Sequence, residues 1–410
     1  MRFLEPVKTL REPLFARLYI AQTISLLGDS ITWLGVALLA FEFGGDQSAK
    51  ILATALTLRV SAFIIFGSYA GIIADTFNRK KIMIITNLFR MMIVFSFAFV
   101  SATWQLYVLI FLLNIFNAFF SPAYKSTIPQ LISKKENYGN AIALSNATWQ
   151  LLGVLGPGLA GILATVWGSR QIFLVDSFTF IISSILVFFI PISSVNMGVG
   201  RKPFSVEATW NDMVKGTRLV FGNAPIRFSL MIELAAALAG AQVMVNTIGH
   251  IKGDMMLADD EYGLIMAAFG IGATIAAFTS STIDRSRNKT MLLVAGALML
   301  GISVSLANIV SFGMLTLLWI LAGLGISFAD MPSQILIAEN IHPDQHGKAY
   351  GSHFAWTHVW WATSYIIAGI TGTYLTNSDF LTGGLLSLAF LAILCLFRFK
   401  KTGNSGEKTT

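Results

Sequence analysis

A few ionisable side chains stand inside long apolar stretches of a chain that is 55% hydrophobic and only 12% charged. They are Asp29, Arg59, Asp176, Glu233 and Asp330. A charge held in hydrocarbon costs about 3 kcal/mol or more, so such residues mark ion pathways, proton relays or substrate sites. Glu233, between Ile232 and Leu234-Ala235, has no partner nearby in the sequence, which suits a group that binds and releases a proton. Asp29 stands one turn before Trp33, and Arg59 in the following apolar stretch is its natural counter-charge. That pair either locks two helices together or takes part in charge movement. Asp176 and Asp330 could instead cap or pair near the ends of their stretches.

A second cluster runs from Gly351 to Trp361. His353, Trp356 and Trp360 are spaced i, i+3, i+7 and share one helix face, while His358 and Trp361 share another. The histidines suit proton exchange or binding of a transition metal. The tryptophans suit stacking on an aromatic or cationic substrate, or anchoring at a membrane interface. Two His five residues apart do not form the i, i+4 pair that one helix uses for a metal. A metal site would need Asp29 or Glu233 beside His353 and His358.

Several chemistries are excluded. Gly-x-x-x-x-Gly-Lys-Ser/Thr and His-Glu-x-x-His are absent, and there is one Cys. ATP-driven pumping is therefore out, any active transport needs an ion gradient, and neither an enzyme activity nor a cofactor is expected.

The elements that must position these groups are membrane spans. A helical span needs about 20 mostly apolar residues. Twelve such runs are read, near 16–42, 49–74, 82–100, 105–124, 138–168, 171–193, 224–250, 262–283, 290–308, 313–338, 348–375 and 379–398. They are continuous, not alternating, which excludes a β-barrel. With the N-terminus inside, all but five of the 28 Lys and Arg fall on cytoplasmic segments; Lys50, Arg170 and Lys252 lie outside, and Arg59 and Arg90 within spans. This bias puts both termini in the cytoplasm. It also accounts for the net charge of +7 without nucleic acid. The expected organisation is a six-helix bundle over 1–193, a cytoplasmic linker over 194–223, a second bundle over 224–400 and a disordered tail over 401–410. Within the linker, Val206 to Phe221 reads as a surface helix with Trp210, Met213, Val214 and Leu219 on an apolar face.

Two loops echo each other. Gly71-Ile72-Ile73-Ala74-Asp75-Thr76-Phe77-Asn78-Arg79-Lys80-Lys81 places a small residue one turn before a carboxylate, with cations beyond. The Gly would let a neighbouring helix approach, and the Asp suits a helix N-terminus. In Ser280-Ser281-Thr282-Ile283-Asp284-Arg285-Ser286-Arg287-Asn288-Lys289, Ser280, Asp284 and Lys289 stand where Gly71, Asp75 and Lys80 stood. Repeats at equivalent loops are what a six-plus-six transporter predicts. The first loop resembles the signature between the second and third helices of the major facilitator superfamily, departing from it at Thr76 and Asn78. The resemblance covers the hydrophobic chain and implies an all-α membrane fold of 12 helices, in two six-helix bundles related by a pseudo-two-fold axis. It also implies alternating access, a cytoplasmic gate formed by Gly71, Asp75, Arg79, Lys80, Lys81, Asp284 and Arg285, and a monomer.

Span five contains Gly153-Val154-Leu155-Gly156-Pro157-Gly158-Leu159-Ala160-Gly161. This is similar to the Gly-Pro signature of the superfamily's exporters. Span four carries Asn114 where drug–proton antiporters often carry Arg. Arg11 to Leu18 and Leu27-Gly28-Asp29-Ser30 resemble the drug–proton antiporter-3 branch, which holds macrolide and enterobactin-type siderophore exporters. The resemblance implies proton-coupled export of a small amphipathic molecule across the bacterial cytoplasmic membrane, with Asp29 and Glu233 as proton carriers. The aromatic, His-rich span eleven is also similar to nickel-resistance exporters. A divalent-metal exporter for nickel, cobalt or iron, or a lipid or lysolipid flippase, is the alternative.

Overall fold

The computed structural model describes residues 5–132, 136–191, 206–278, 289–342 and 345–406. Among them there is no strand. A short turn at Glu5–Lys8 precedes α1 (Pro13–Gly44), which starts on a proline and stops at Gly45, whose φ of 50° only glycine adopts readily. Next come α2 (Ser48–Thr76), α3 (Arg79–Phe97), α4 (Thr103–Thr127), α5 (Glu136–Trp167) and α6 (Ile172–Phe188). Asn78 caps α3 by accepting from Lys81 N at 3.1 Å. The linker helix, Val206–Gly222, follows, and then α7 (Ala224–Gly249), which Asn223 caps by accepting from Ile226 N at 3.2 Å. The rest are α8 (Asp259–Phe278), α9 (Lys289–Ser305), α10 (Phe312–Asn340), α11 (His346–Tyr374) and α12 (Asp379–Gly406). Asp259, Asp260 and Glu261 fill the first turn of α8, where the helix dipole favours negative charge.

The twelve helices α1 to α12 coincide with the twelve runs read from hydropathy. Six stretches among the described residues are long and apolar enough to cross a membrane on length and composition alone. Shorter apolar stretches lie in α5, over Leu151–Trp167, and in α6. The remaining helices, α3, α8 and α11, carry basic, acidic and His-rich segments respectively.

The chain divides into two compact units: Met1–Gly45, Leu58–Ser205 and Met255–Ala267, and Asp46–Thr57, Val206–Asp254 and Ala268–Thr410. In the first, α1 packs on α5 and α6, and α3 packs on α4 and α6. In the second, α7 packs on α11 and α12, and α9 on α10 and α12. The same pairings recur six helices later, so the internal repeat read from two loops extends to helix packing. At one end of the first unit Phe15, Leu18, Met83, Phe120, Tyr124, Val187 and Ile190 form a buried cluster. In the second, Val220 of the linker helix joins Ile226, Leu230, Ile337, Ile341 and Ala349.

Candidate functional site

Each unit encloses a cluster of ionisable groups that includes acids singled out in the sequence. In the first, Arg90 of α3 donates through Nη2 to Oδ1 and Oδ2 of Asp29 on α1, at 3.0 and 2.9 Å. Its Nη1 donates to Asn87 Oδ1 at 3.1 Å, and Asn87 Nδ2 donates to Ser183 Oγ at 3.0 Å. The guanidinium carbon lies 4.2 Å from the centre of the Phe180 ring and 5.1 Å from that of Phe120. Asp176 of α6 is fully buried; it accepts from Thr32 Oγ1 at 2.5 Å and from Thr179 Oγ1 at 2.8 Å. Asp29 and Arg90 both interact with it electrostatically. Two carboxylates thus share one guanidinium deep in a helix bundle. A Cβ on Gly28 would lie 1.9 Å from Asp176 Oδ1, so α1 meets α6 at this depth only because residue 28 is glycine.

The cation on Asp29 is therefore Arg90, where the sequence pointed to Arg59. Arg59 lies with its guanidinium carbon 4.3 Å from the centre of the Trp33 ring. The reason is topological: α1 and α3 both pack on α6, and that brings Arg90 to Asp29. Arg90 was visible as a charge within a span, but nothing in the sequence paired it. The supporting Asn87, Thr32, Thr179 and Ser183 carried no signal at all.

In the second unit, His353 Nε2 of α11 lies 3.1 Å from Glu233 Oε1 of α7. Glu233 thus has a partner 120 residues away in the chain. Both are nearly sealed, at 2% and 7% exposure, and Glu233 Oε2 has no hydrogen-bond partner. Asp330 of α10 interacts electrostatically with both, and its own surface is exposed. A buried imidazole, a buried carboxylate with a spare oxygen and a second carboxylate that interacts with both form a set that can take up and lose a proton. Burying an unpaired charge is costly, so the protonation states of the three are linked.

The other α11 residues separate. Trp356 lies tilted against Trp360, with centroids 5.2 Å apart and planes at 41°, and donates from Nε1 to Thr217 Oγ1 of the linker helix at 3.3 Å. Trp360 Nε1 is enclosed without a hydrogen-bond partner. His358 turns away from His353: its Nδ1 lies 2.8 Å from the carbonyl of Phe354 on the same helix. The two imidazoles do not converge on one point, because a five-residue step carries them to different faces. Among the described residues, no three His, Cys, Asp or Glu side chains gather as a metal site.

The basic loop acts as a cap. Arg79 and Lys80 are both 8% exposed. Lys80 Nζ donates to the carbonyls of Phe188 and Ile190, each at 2.6 Å, at the C-terminus of α6. Arg79 donates to Ala74 O at 3.0 Å and Ser126 O at 2.9 Å, at the ends of α2 and α4. Cations there satisfy orphan carbonyls and oppose the helix dipoles. Lys81 is exposed. Among the described residues, a Cβ on Gly71 would meet no atom within 4 Å. The Asp75 side chain, Asp284 and Arg285 lie outside the described residues; Lys289 Nζ pairs with Glu339 Oε1.

The Gly-Pro segment of α5 serves two contacts. Gly156 faces Ser30 of α1, where an added Cβ would come within 2.2 Å of the serine Cβ. Gly161 faces the first turns of α8, where its Cβ would lie 2.9 Å from Gly263 Cα. Around Gly153 there is open space, and Pro157 stays inside a continuous helix.

The sequence profile of the Major Facilitator Superfamily matches residues 18–248 and 228–410. The chain belongs to this superfamily. Among its relatives is an uncharacterised MFS-type transporter of Bacillus subtilis, YfiS, 26% identical over 92% of this chain and 89% of that protein. Macrolide efflux protein A of Streptococcus pyogenes is 21% identical over 82% of this chain and 84% of its own length. Among solved structures, the nucleoside transporter NupG matches at a TM-score of 0.72 with 17% identity, covering 93% of this chain and 98% of that one. At that identity the likeness speaks for the fold alone. A bacterial homologue of the human lysosomal transporter Spinster, solved inward-facing and unoccupied, matches at 0.71 with 13% identity, covering 96% of this chain and 97% of that one. As a major facilitator protein, the chain is an integral membrane transporter with a small-molecule substrate, not an enzyme. Drug-efflux proteins recur among its relatives. Asn114 of α4, where drug–proton antiporters often carry Arg, is fully buried and donates to Ile110 O of its own helix at 2.8 Å.

Proposed function

We propose that this transporter is a proton-coupled exporter of small amphipathic molecules, acting as a monomer in the bacterial cytoplasmic membrane with both termini inside. The observation that carries the reading is the sealed Glu233–His353 pair with one carboxylate oxygen unpartnered and Asp330 beside it. Such a group is retained in a bilayer because its charge changes during the cycle. Asp29, shared with Arg90, is the second carrier; Asp176 is more fully hydrogen-bonded and holds the first cluster in place. Substrate binds against aromatic side chains of α11 that include Trp356 and Trp360. The Gly-Pro segment supports export, and the macrolide-efflux relatives support an amphipathic cargo.

The test is proton movement in everted membrane vesicles energised to an inward-acid gradient, read by a pH-sensitive dye on addition of erythromycin or ethidium. Wild type dissipates the gradient on addition of at least one probe, and Glu233→Gln abolishes the response. If wild-type vesicles answer neither probe but release protons on adding nickel or cobalt, the cargo is a metal and the amphipathic reading fails. Equal dissipation by wild type and Glu233→Gln would remove Glu233 from the coupling.

A further inference from the structure

The linker helix docks on α11 along a single stripe. Lys348 Nζ pairs with Asp212 Oδ1 at 2.8 Å. One turn on, Ser352 Oγ donates to the Met213 carbonyl at 3.1 Å and lies 3.3 Å from Thr217 Oγ1. A further turn on, Trp356 Nε1 donates to Thr217 Oγ1 at 3.3 Å, and its ring stands edge-on to Phe221 at 5.1 Å. Between them Gly216 is pressed so close that a Cβ would lie 2.4 Å from Lys348 O and 2.6 Å from Ser352 Oγ. Residues 348, 352 and 356 follow an i, i+4, i+8 spacing, so the contact runs over two turns of one helix face. The docked face of the linker helix is Gly216, Thr217 and Val220, while Met213 is exposed.

His353 directly follows Ser352 in α11, about 100° further round the helix. Glu233 is on α7, and the linker helix leads into α7 across a tight join: Asn223 caps α7, and Arg227 Nη1 donates to Phe221 O at 2.7 Å. One element therefore grips α11 beside His353 and is anchored to the helix that carries Glu233. A helix held along one stripe cannot turn about its axis without breaking these contacts. We propose that the linker helix is a positioning strap that sets the approach of His353 to Glu233, with Thr217 and Gly216 as its positioning residues. This rests on the reading of Glu233–His353 as the coupling pair. The charged group that interacts with both members of that pair is Asp330 on α10.

The test reads the pair without any cargo. Full-length protein in detergent is treated with dicyclohexylcarbodiimide, which reacts with protonated buried carboxyls, across a range of pH. Labelling of the Glu233 peptide is followed by mass spectrometry, with Glu233→Gln as the blank. Thr217→Val, which keeps the shape but removes both hydrogen bonds, should move the labelling midpoint by half a pH unit or more, about a threefold change in rate at fixed pH. Thr217→Ser should follow wild type, and Gly216→Ala should shift the curve at least as far as Thr217→Val. Superimposable curves for wild type and Thr217→Val, flat ones included, overturn the proposal, as does a Thr217→Ser shift equal to that of valine. The two readings fail separately. A labelling shift beside normal transport by Glu233→Gln retires the coupling role and keeps the strap; an unshifted curve beside coupled transport does the reverse.

Discussion

Arg90→Met tests the first cluster most directly. The change removes the hydrogen bonds to both Asp29 oxygens and to Asn87, and the cation from the face of Phe180. Removing one partner of a buried ion pair costs about 3–5 kcal/mol because the other charge is left uncompensated. Asp29 is 21% exposed against 3% for Arg90, so water takes up part of that loss and the low end applies. An expected destabilisation of about 3 kcal/mol corresponds to roughly 150-fold in the unfolding equilibrium. The assay is reversible unfolding in mixed micelles, titrated with SDS and followed by tryptophan fluorescence. A double-mutant cycle with Asp29→Asn isolates the pair, and the double variant should recover at least about 1.5 kcal/mol of the summed single losses. Strict additivity in the cycle would refute the assignment of Arg90 as the counter-charge.

Gly28→Ala forces a methyl to 1.9 Å from Asp176 Oδ1 and 2.3 Å from Thr179 Oγ1; overpacking of this kind should cost about 2 kcal/mol in the same unfolding assay. Lys80→Met frees the carbonyls of Phe188 and Ile190. It should cost about 3 kcal/mol, with faster amide hydrogen exchange at the end of α6 and little change in α1. Gly161→Val should abolish vesicle transport by parting α5 from the first turns of α8. Gly153→Val, introduced into open space, should express and unfold like wild type. On the linker helix, the hydrogen bond from Lys348 holds the Asp212 carboxyl below the ordinary carboxylate range. A lowered folded-state pKa gives stability that is complete above the unfolded pKa and lost as pH falls through the folded one. Hydrogen exchange in Val206–Gly222 should therefore be pH-independent, after correction for intrinsic rates, from about pH 5 to 8 and rise only below about pH 4.

The fold was legible because the bilayer imposes length and continuity on each span, and those properties belong to single stretches of chain. Twelve apolar runs became twelve helices, and a linker helix formed where one was read, though Gly216, Thr217 and Val220 dock and Met213 of the expected apolar face is exposed. The superfamily followed from a loop whose cations have a local reason to exist: Arg79 and Lys80 satisfy carbonyls at helix ends. The exporter segment divided: Gly156 and Gly161 are packed against neighbours, and Gly153 is not.

By itself the sequence determined which residues are too costly to keep in hydrocarbon without a purpose. Asp29, Asp176, Glu233, Asp330 and His353 were all visible as charges or imidazoles inside apolar runs. Only the tertiary structure decided who faces whom. Asp29 went to Arg90 and not to the cation nearer in sequence, Glu233 went to a histidine on a neighbouring helix far along the chain, and Trp356 went to the linker helix. The reason is that the cost of burying a charge is set by the residue and its local run, whereas its compensation depends on helix packing. Packing joins positions separated by 61 and 120 residues, and no local pattern records that.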